Sequence, residues 1–249
     1  MINNFLINRV LSVTGMDKDD NILYRLVQPQ NISLSTTSET ADVVDNMGSV
    51  ICTFDRSKSA ELSGENAIFD LSLLAVQHGT DVKTEVSEVP CFETIIVTAD
   101  NKGKAVALAH TPIDDTMVKA YALNGDSSLG EVIAAAVADG QITIPASATV
   151  DTQILVSYEY KPTAASMVTV SADKFATSHQ IIVEVLGVDV CDKENLIYAY
   201  LIFNSGKMSS DTELTFGTDL VHSFTVTAQV DYCSPDKKLF MLIIPEDGE

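Results

Sequence analysis

Positive charge is scarce in this chain of 249 residues: 15 lysines and arginines face 35 aspartates and glutamates, a formal net charge of −20. The basic residues are scattered singly, and Lys237-Lys238 is the only adjacent pair. Gripping a phosphate backbone requires clustered cations that displace its counterions, so specific nucleic-acid binding is excluded as an expectation. No apolar run reaches the roughly 20 residues that cross a bilayer, and no membrane partner is expected. The opening Met1-Ile2-Asn3-Asn4-Phe5 lacks the basic stretch and long apolar core of a signal peptide, which predicts synthesis in the cytoplasm.

Cysteine is equally sparse. Cys52, Cys91, Cys191 and Cys233 form no C-x-x-C pair, so free, buried thiols are expected rather than a metal or redox motif. The histidines His78, His110, His179 and His222 are dispersed and read as isolated surface or edge residues. There is no Gly-rich phosphate loop, no G-x-S-x-G and no H-E-x-x-H. Asp17-Lys18-Asp19-Asp20-Asn21 opens with the rhythm of a calcium loop, but Ile22 and Gln28 stand where that loop needs Gly and Glu. It reads as a polar hairpin turn. Asp114-Asp115 has no partner base or nucleophile in view. No catalytic, cofactor-binding or metal-binding residue and no cofactor is identified, and a structural rather than enzymatic role is the expectation.

What the chain does contain is period-two alternation. In Ser223-Phe224-Thr225-Val226-Thr227-Ala228-Gln229-Val230 every second residue is apolar, the pattern of a half-buried strand. Ile32 and Leu34 alternate with Asn31, Ser33 and Ser35; Val50, Cys52 and Phe54 give another short case, and Ile181 to Val185 a fourth. Leu196 to Phe203 is apolar on both faces, so it is covered on both sides, either by its own fold or by a neighbouring subunit. Polar runs at 15–21 and 189–195 separate strands as hairpin turns do. One helix is expected over 65–77, capped by Ser63 and followed by Gly79, with Ile68, Leu71, Leu74 and Ala75 on one packing stripe. A second, shorter helix is expected over 129–138.

Residues 92–161 read as a module of their own, with Val-, Ile- and Tyr-rich strands about ten residues apart and turns at 100–103 and 124–126. Val89-Pro90 and Lys161 to Ser166 bound it as linkers. The expected organisation is therefore a discontinuous β domain, 1–91 with 162–249, interrupted by a small β sandwich at 92–161.

Within the outer domain, the segments ISLSTTSET…GSVICTFDRSKSAELSGENAIFDLSLLAVQHGT and SFTVTAQVDY resemble the helix-bearing half and closing strands of the tail tube proteins of tailed bacteriophages. The inserted module resembles an immunoglobulin-like domain. The resemblance implies a mainly β fold, a tail-tube-like sandwich or barrel with one flanking helix. It implies a homo-oligomer of hexameric rings stacked into a tube in the virion, alongside other phage tail proteins. DNA would pass through the lumen without specific binding. Its long polar loop, through Thr37, Glu39, Asp42, Asp45 and Asn46, matches in position the loop that contacts the adjacent ring; an ordinary solvated loop is the other reading. The net charge fits a lumen that repels DNA and fits plain solubility equally. A capsid decoration, head-fibre or other virion surface protein is the alternative function, and an enzyme on a β scaffold a third class.

Overall fold

The computed structural model describes residues 5–190, 196–215, 217, 221–230, 232 and 235–245. The fold is mainly β, with several sheets and, among the described residues, one α-helix. The first stretch contributes β1 (Phe5–Met16), β2 (Ile22–Leu26), β3 (Pro29–Val44), β4 (Val50–Asn66) and α1 (Leu71–Gln77). The middle stretch contributes β5 (Lys83–Glu85), β6 (Val89–Ile96), β7 (Ala105–Ala107), β8 (Lys119–Leu123), β9 (Leu129–Ile133), β10 (Val137–Ala138), β11 (Gln141–Thr143), β12 (Gln153–Tyr160) and β13 (Ala165–Met167). The last contributes β14 (Ser178–Asp189), β15 (Leu196–Met208), β16 (Leu214–Thr215), β17 (Val221–Ala228) and β18 (Met241–Ile243). The chain divides into two compact units, Met1–Val82 with Met167–Glu249, and Lys83–Ser166.

The first unit is built on one large sheet in the order β2-β1-β14-β15-β17-β4-β3, with β16 added to β17 and β18 to β15. Among the described residues this path stays open and does not close into a barrel. Alternation does what the sequence pattern requires: Phe224, Val226 and Ala228 of β17, Ile181, Val183 and Val185 of β14 and Ala199, Leu201 and Phe203 of β15 share one buried core. The other face of β15 is only partly covered, and Leu196 and Tyr198 are exposed at its start. The polar run 189–195 between β14 and β15 falls largely outside the described residues, as do Cys191 and Cys233.

Two histidines read from sequence as surface residues are buried here. Tyr24 donates its hydroxyl proton to His179 Nε2 at 3.2 Å, and His179 Nδ1 donates to the Thr177 carbonyl at 3.1 Å. That chain of donors assigns the tautomer and satisfies both buried rings. Burial holds the His179 ring below the ordinary histidine value, against the raising effect of its bond to Thr177, and pushes the Tyr24 hydroxyl up. Gly15 is required beside them, because a Cβ there would lie 2.2 Å from the Tyr24 ring. His222 is the second buried ring. Its Nε2 lies 2.9 Å from Gln77 Oε1, Gln77 Nε2 donates to the Ser223 carbonyl at 3.0 Å, and Phe69 stacks on the ring.

The helix is shorter than its sequence pattern. Ser63 to Asn66 form the end of β4 and pair with β17, so the strand ladder claims them before a helix can. Asp70, not Ser63, is the cap: its Oδ1 accepts from the Leu73 amide at 2.9 Å. Ala75 is buried with Leu73 and Gln77; Leu71 and Leu74 are half-buried, while Ile68 precedes the helix and is exposed. The expected helix at 129–138 does not form. Asp139 and Gly140 both have positive φ, 54° and 71°, the signature of a two-residue hairpin turn joining β10 to β11. Gly140 thus turns a hairpin rather than stopping a helix.

The second unit carries a four-stranded sheet, β6-β12-β8-β9, and a three-stranded sheet, β10-β11-β7. Ile154, Val156 and Tyr158 of β12 are buried in one core with Ile142 and Ile144. Val89 and Pro90 are the first residues of β6, an outer strand of its sheet where proline costs no ladder bond. Where the chain enters and leaves this unit, β5 pairs with β13.

Candidate functional site

Most of the segment expected as a polar loop is instead a strand, and only Asp45 and Asn46 lie in a turn. Residues Thr37 to Val44 continue β3, and the expected short strand at 51–55 continues β4 to Asn66, giving a two-stranded arm of 16 and 17 residues. Register is kept by cross-strand pairs from Pro29↔Asn66 to Val44↔Val50. Ser and Thr dominate β3 here, and their branched or short polar chains suit a ladder solvated on both sides.

The turn at the far end is built by one side chain. Asp45 Oδ1 accepts from the Met47 and Ser49 amides, each at 2.8 Å, while the Asp45 amide donates to the Ser49 carbonyl at 2.9 Å. Asn46 lies in this turn and Gly48 takes a φ of 82°. Along the arm Thr37 Oγ1 meets Ser59 Oγ at 2.6 Å, Ser57 donates to Glu39 at 3.2 Å, and Thr53 donates to Asp42 at 2.6 Å. The five residues singled out from sequence therefore share one arm but not one face. Thr37 and Glu39 point one way, Asp42 the other, and Asp45 and Asn46 shape the turn.

A change of apolar face along the arm is the feature that sequence reading missed. Near the base, Leu34 opposes Leu62 and Thr36 opposes Ala60; Leu62 and Ala60 are fully buried on the core. A register shift between Glu39 and Thr40 leaves Arg56 as an extra residue on β4. Beyond it the other face becomes apolar: Ala41 opposes Phe54 and Val43 opposes Cys52, while Thr40 with Asp55 and Asp42 with Thr53 make the polar side. Phe54 is 57% exposed and Met47, at the turn, 91%; Val43, Val44, Val50 and Ile51 are exposed with them. Cys52 is exposed too, which corrects the expectation of a buried thiol, and Cys91 is half-buried. The alternation at Val50, Cys52 and Phe54 signalled a half-buried strand; the strand forms, but all three residues are exposed, and the extra residue Ile51 puts Val50 on the face opposite to Cys52 and Phe54.

Two sheet margins add to the surface. β2 pairs with β1 only from Val13 to Met16, so Phe5 to Val10 of β1 have a strand partner on one side only among the described residues. Leu6 and Ile7 there are exposed. The outer side of β3 is likewise a sheet edge. Unpaired strand edges offer rows of N–H and C=O groups to a further strand.

The paired acids do local structural work. Asp17 accepts from the Asn21 side chain and from the Asn21 and Asp19 amides, and those bonds hold its carboxyl below the usual range. Asp114 caps a single 3-10 turn through Thr116 and is lowered by the same kind of bond. Among the described residues no group of three or more His, Cys, Asp or Glu is placed to hold a metal ion. No helix there is long and apolar enough to cross a membrane.

No curated protein matches the chain. A family model described as the YomU/Tube protein family matches residues 5–237. That match runs through the arm, the large sheet and the middle unit alike, and the chain belongs to the YomU/Tube protein family.

Proposed function

We propose that the chain is the structural subunit of a phage tail tube: copies join into rings, expected to be hexameric, and the rings stack into a conduit for DNA within the virion. The arm carries this reading. An amphipathic two-stranded arm whose apolar end finds no cover among the described residues has the pattern of an element that docks on another copy. Contact between one patch and a different patch on the next copy is heterologous, and such contacts generate closed rings or extending filaments. The free side of Phe5 to Val10 in β1 and the outer edge of β3 suit lateral joining of sheets within a ring. The charge balance suits passage rather than binding. Duplex DNA carries about one negative charge per 1.7 Å, and screening confines repulsion to about 8–10 Å, so carboxylates lining a lumen would keep DNA sliding.

Negative-stain microscopy and sedimentation of the purified full chain, at high concentration and with tail-assembly partners supplied, should show rings or tubes. A strictly monomeric protein under all those conditions overturns the proposal. A trimer would favour a capsid decoration or fibre role.

A further inference from the structure

The four-stranded sheet of the second unit is apolar on both of its faces, and its own unit covers only one. Directly opposed residues of an antiparallel pair share a face. Leu155 opposes both Thr94 and Tyr121, Tyr121 opposes Val132, and Gln153 opposes both Ile96 and Leu123, which in turn opposes Leu129. On this outer face Phe92 is 67% exposed, Ile96 53%, Leu129 61% and Val132 68%, with Leu155 and Tyr121 half-buried between them. The residues Lys83 to Ser166 include 5 basic and 11 acidic side chains. Yet the outer face carries one of each, Lys119 opposite Ser157 and Glu159 opposite Pro90.

We propose that this face is a self-association surface that packs against the same face of a second copy. The arrangement is complementary to itself. A twofold axis parallel to the strands, between β12 and β8, lays β6 of one copy over β9 of the other and β12 over β8. Phe92 and Ile96 on β6 then meet Leu129 and Val132 on β9, and Glu159 on β12 meets Lys119 on β8. Two aligned sheets pack face to face about 10 Å apart in this way. Acidic copies repel one another over most of their surface, and a face of no net charge is where approach costs least. Size sets the strength. The four exposed side chains present on the order of 400 Å² per copy, so pairing removes about 800 Å², short of a standard stable interface. The contact is therefore weak between free chains and is populated at high concentration. It does not rest on the proposed tube, whose ring contacts are heterologous.

The experiment mixes ¹⁵N-labelled and unlabelled full-length chain at high concentration and couples amines to carboxylates with a carbodiimide. Mass spectrometry should find Lys119 of one isotope joined to Glu159 of the other. Val132→Glu, and independently Ile96→Lys on the opposite outer strand, should each reduce that mixed-isotope product at least tenfold while thermal unfolding stays unchanged. Lys119–Glu159 products confined to single chains overturn the proposal, as does a folded variant that leaves the mixed product intact. Cross-linked chains that never form rings would sink the tube reading and leave this one standing. Rings without the mixed product would do the reverse.

Discussion

The base and the end of the β3–β4 arm are made by the same two strands, and they obey different partners. At the base the apolar residues Ala60 and Leu62 lie in the sheet's own core, and a Cβ on Gly64 would crowd the Ile32 and Phe224 side chains at 2.2 and 2.9 Å. At the end, past the extra residue Arg56, the apolar side turns over to Ala41, Val43, Cys52 and Phe54, of which Ala41 is half-buried and the other three are exposed. One inserted residue flips every side chain beyond it, because the side-chain period of a strand is two. The lesson is that an alternating strand specifies a covered face without specifying who covers it.

Substitutions that separate base from end test this contrast. Leu62→Ala at the base should cost about 2–5 kcal/mol of stability, read from the urea midpoint, because it opens a cavity in a fully buried site. A neutral midpoint shift there would mean that the base is not part of the core. Acid should act next. Burial holds both His179 and His222 below the ordinary imidazole value; for His222, Asp70 pulls upward and His78 downward against that dominant effect. The unfolded chain then binds more protons below about pH 6.5, so stability is full above that value and is lost as pH falls through it. Urea unfolding at pH 7.5 and 5.5 should show the loss, and His179→Gln with His222→Gln should flatten it. Asp45→Ala removes two turn acceptors from a solvated tip and should cost about 0.5–1 kcal/mol, with hydrogen exchange of the Met47 and Ser49 amides accelerated. Phe54→Asp at the end should move stability by less than about 0.5 kcal/mol. If the arm docks on another copy, the same variant removes ring or tube formation seen by microscopy. A large stability loss from Phe54→Asp would show that the end is covered within its own chain after all.

Much of the strand content was legible in sequence because alternation is a local signal. Phe224, Val226 and Ala228 sit in the core as their spacing requires, and so do Ile181, Val183 and Val185. The helix was legible only in part. Its apolar stripe runs on without a break from strand residues, and pairing of Ser63 to Asn66 with β17, more than 150 residues away, decides where the strand ends. Leu129 to Ala138 misled for a related reason: Val132, Ile133, Ala136 and Val137 share a helical face but are also compatible with two short strands, and the Asp139-Gly140 turn carried the deciding information. Polarity misled at 37–44, where a run of Ser, Thr, Asp and Glu reads as a loop although its partner strand holds it straight; only 45–48 turn as expected. His179 and His222 were misread because burial of a polar ring depends on a distant partner, Tyr24 for His179 and Gln77 for His222.

By itself the sequence determined a β-rich, strongly acidic chain without clustered cations, close cysteine pairs or a recognised catalytic motif, because composition and period-two spacing are properties of neighbours along the chain. Only the tertiary structure decided which apolar faces are covered. Coverage is a contact between residues far apart in sequence, and it leaves two faces open here: the end of the arm at Val43 and Phe54, and the outer sheet at Phe92 and Val132.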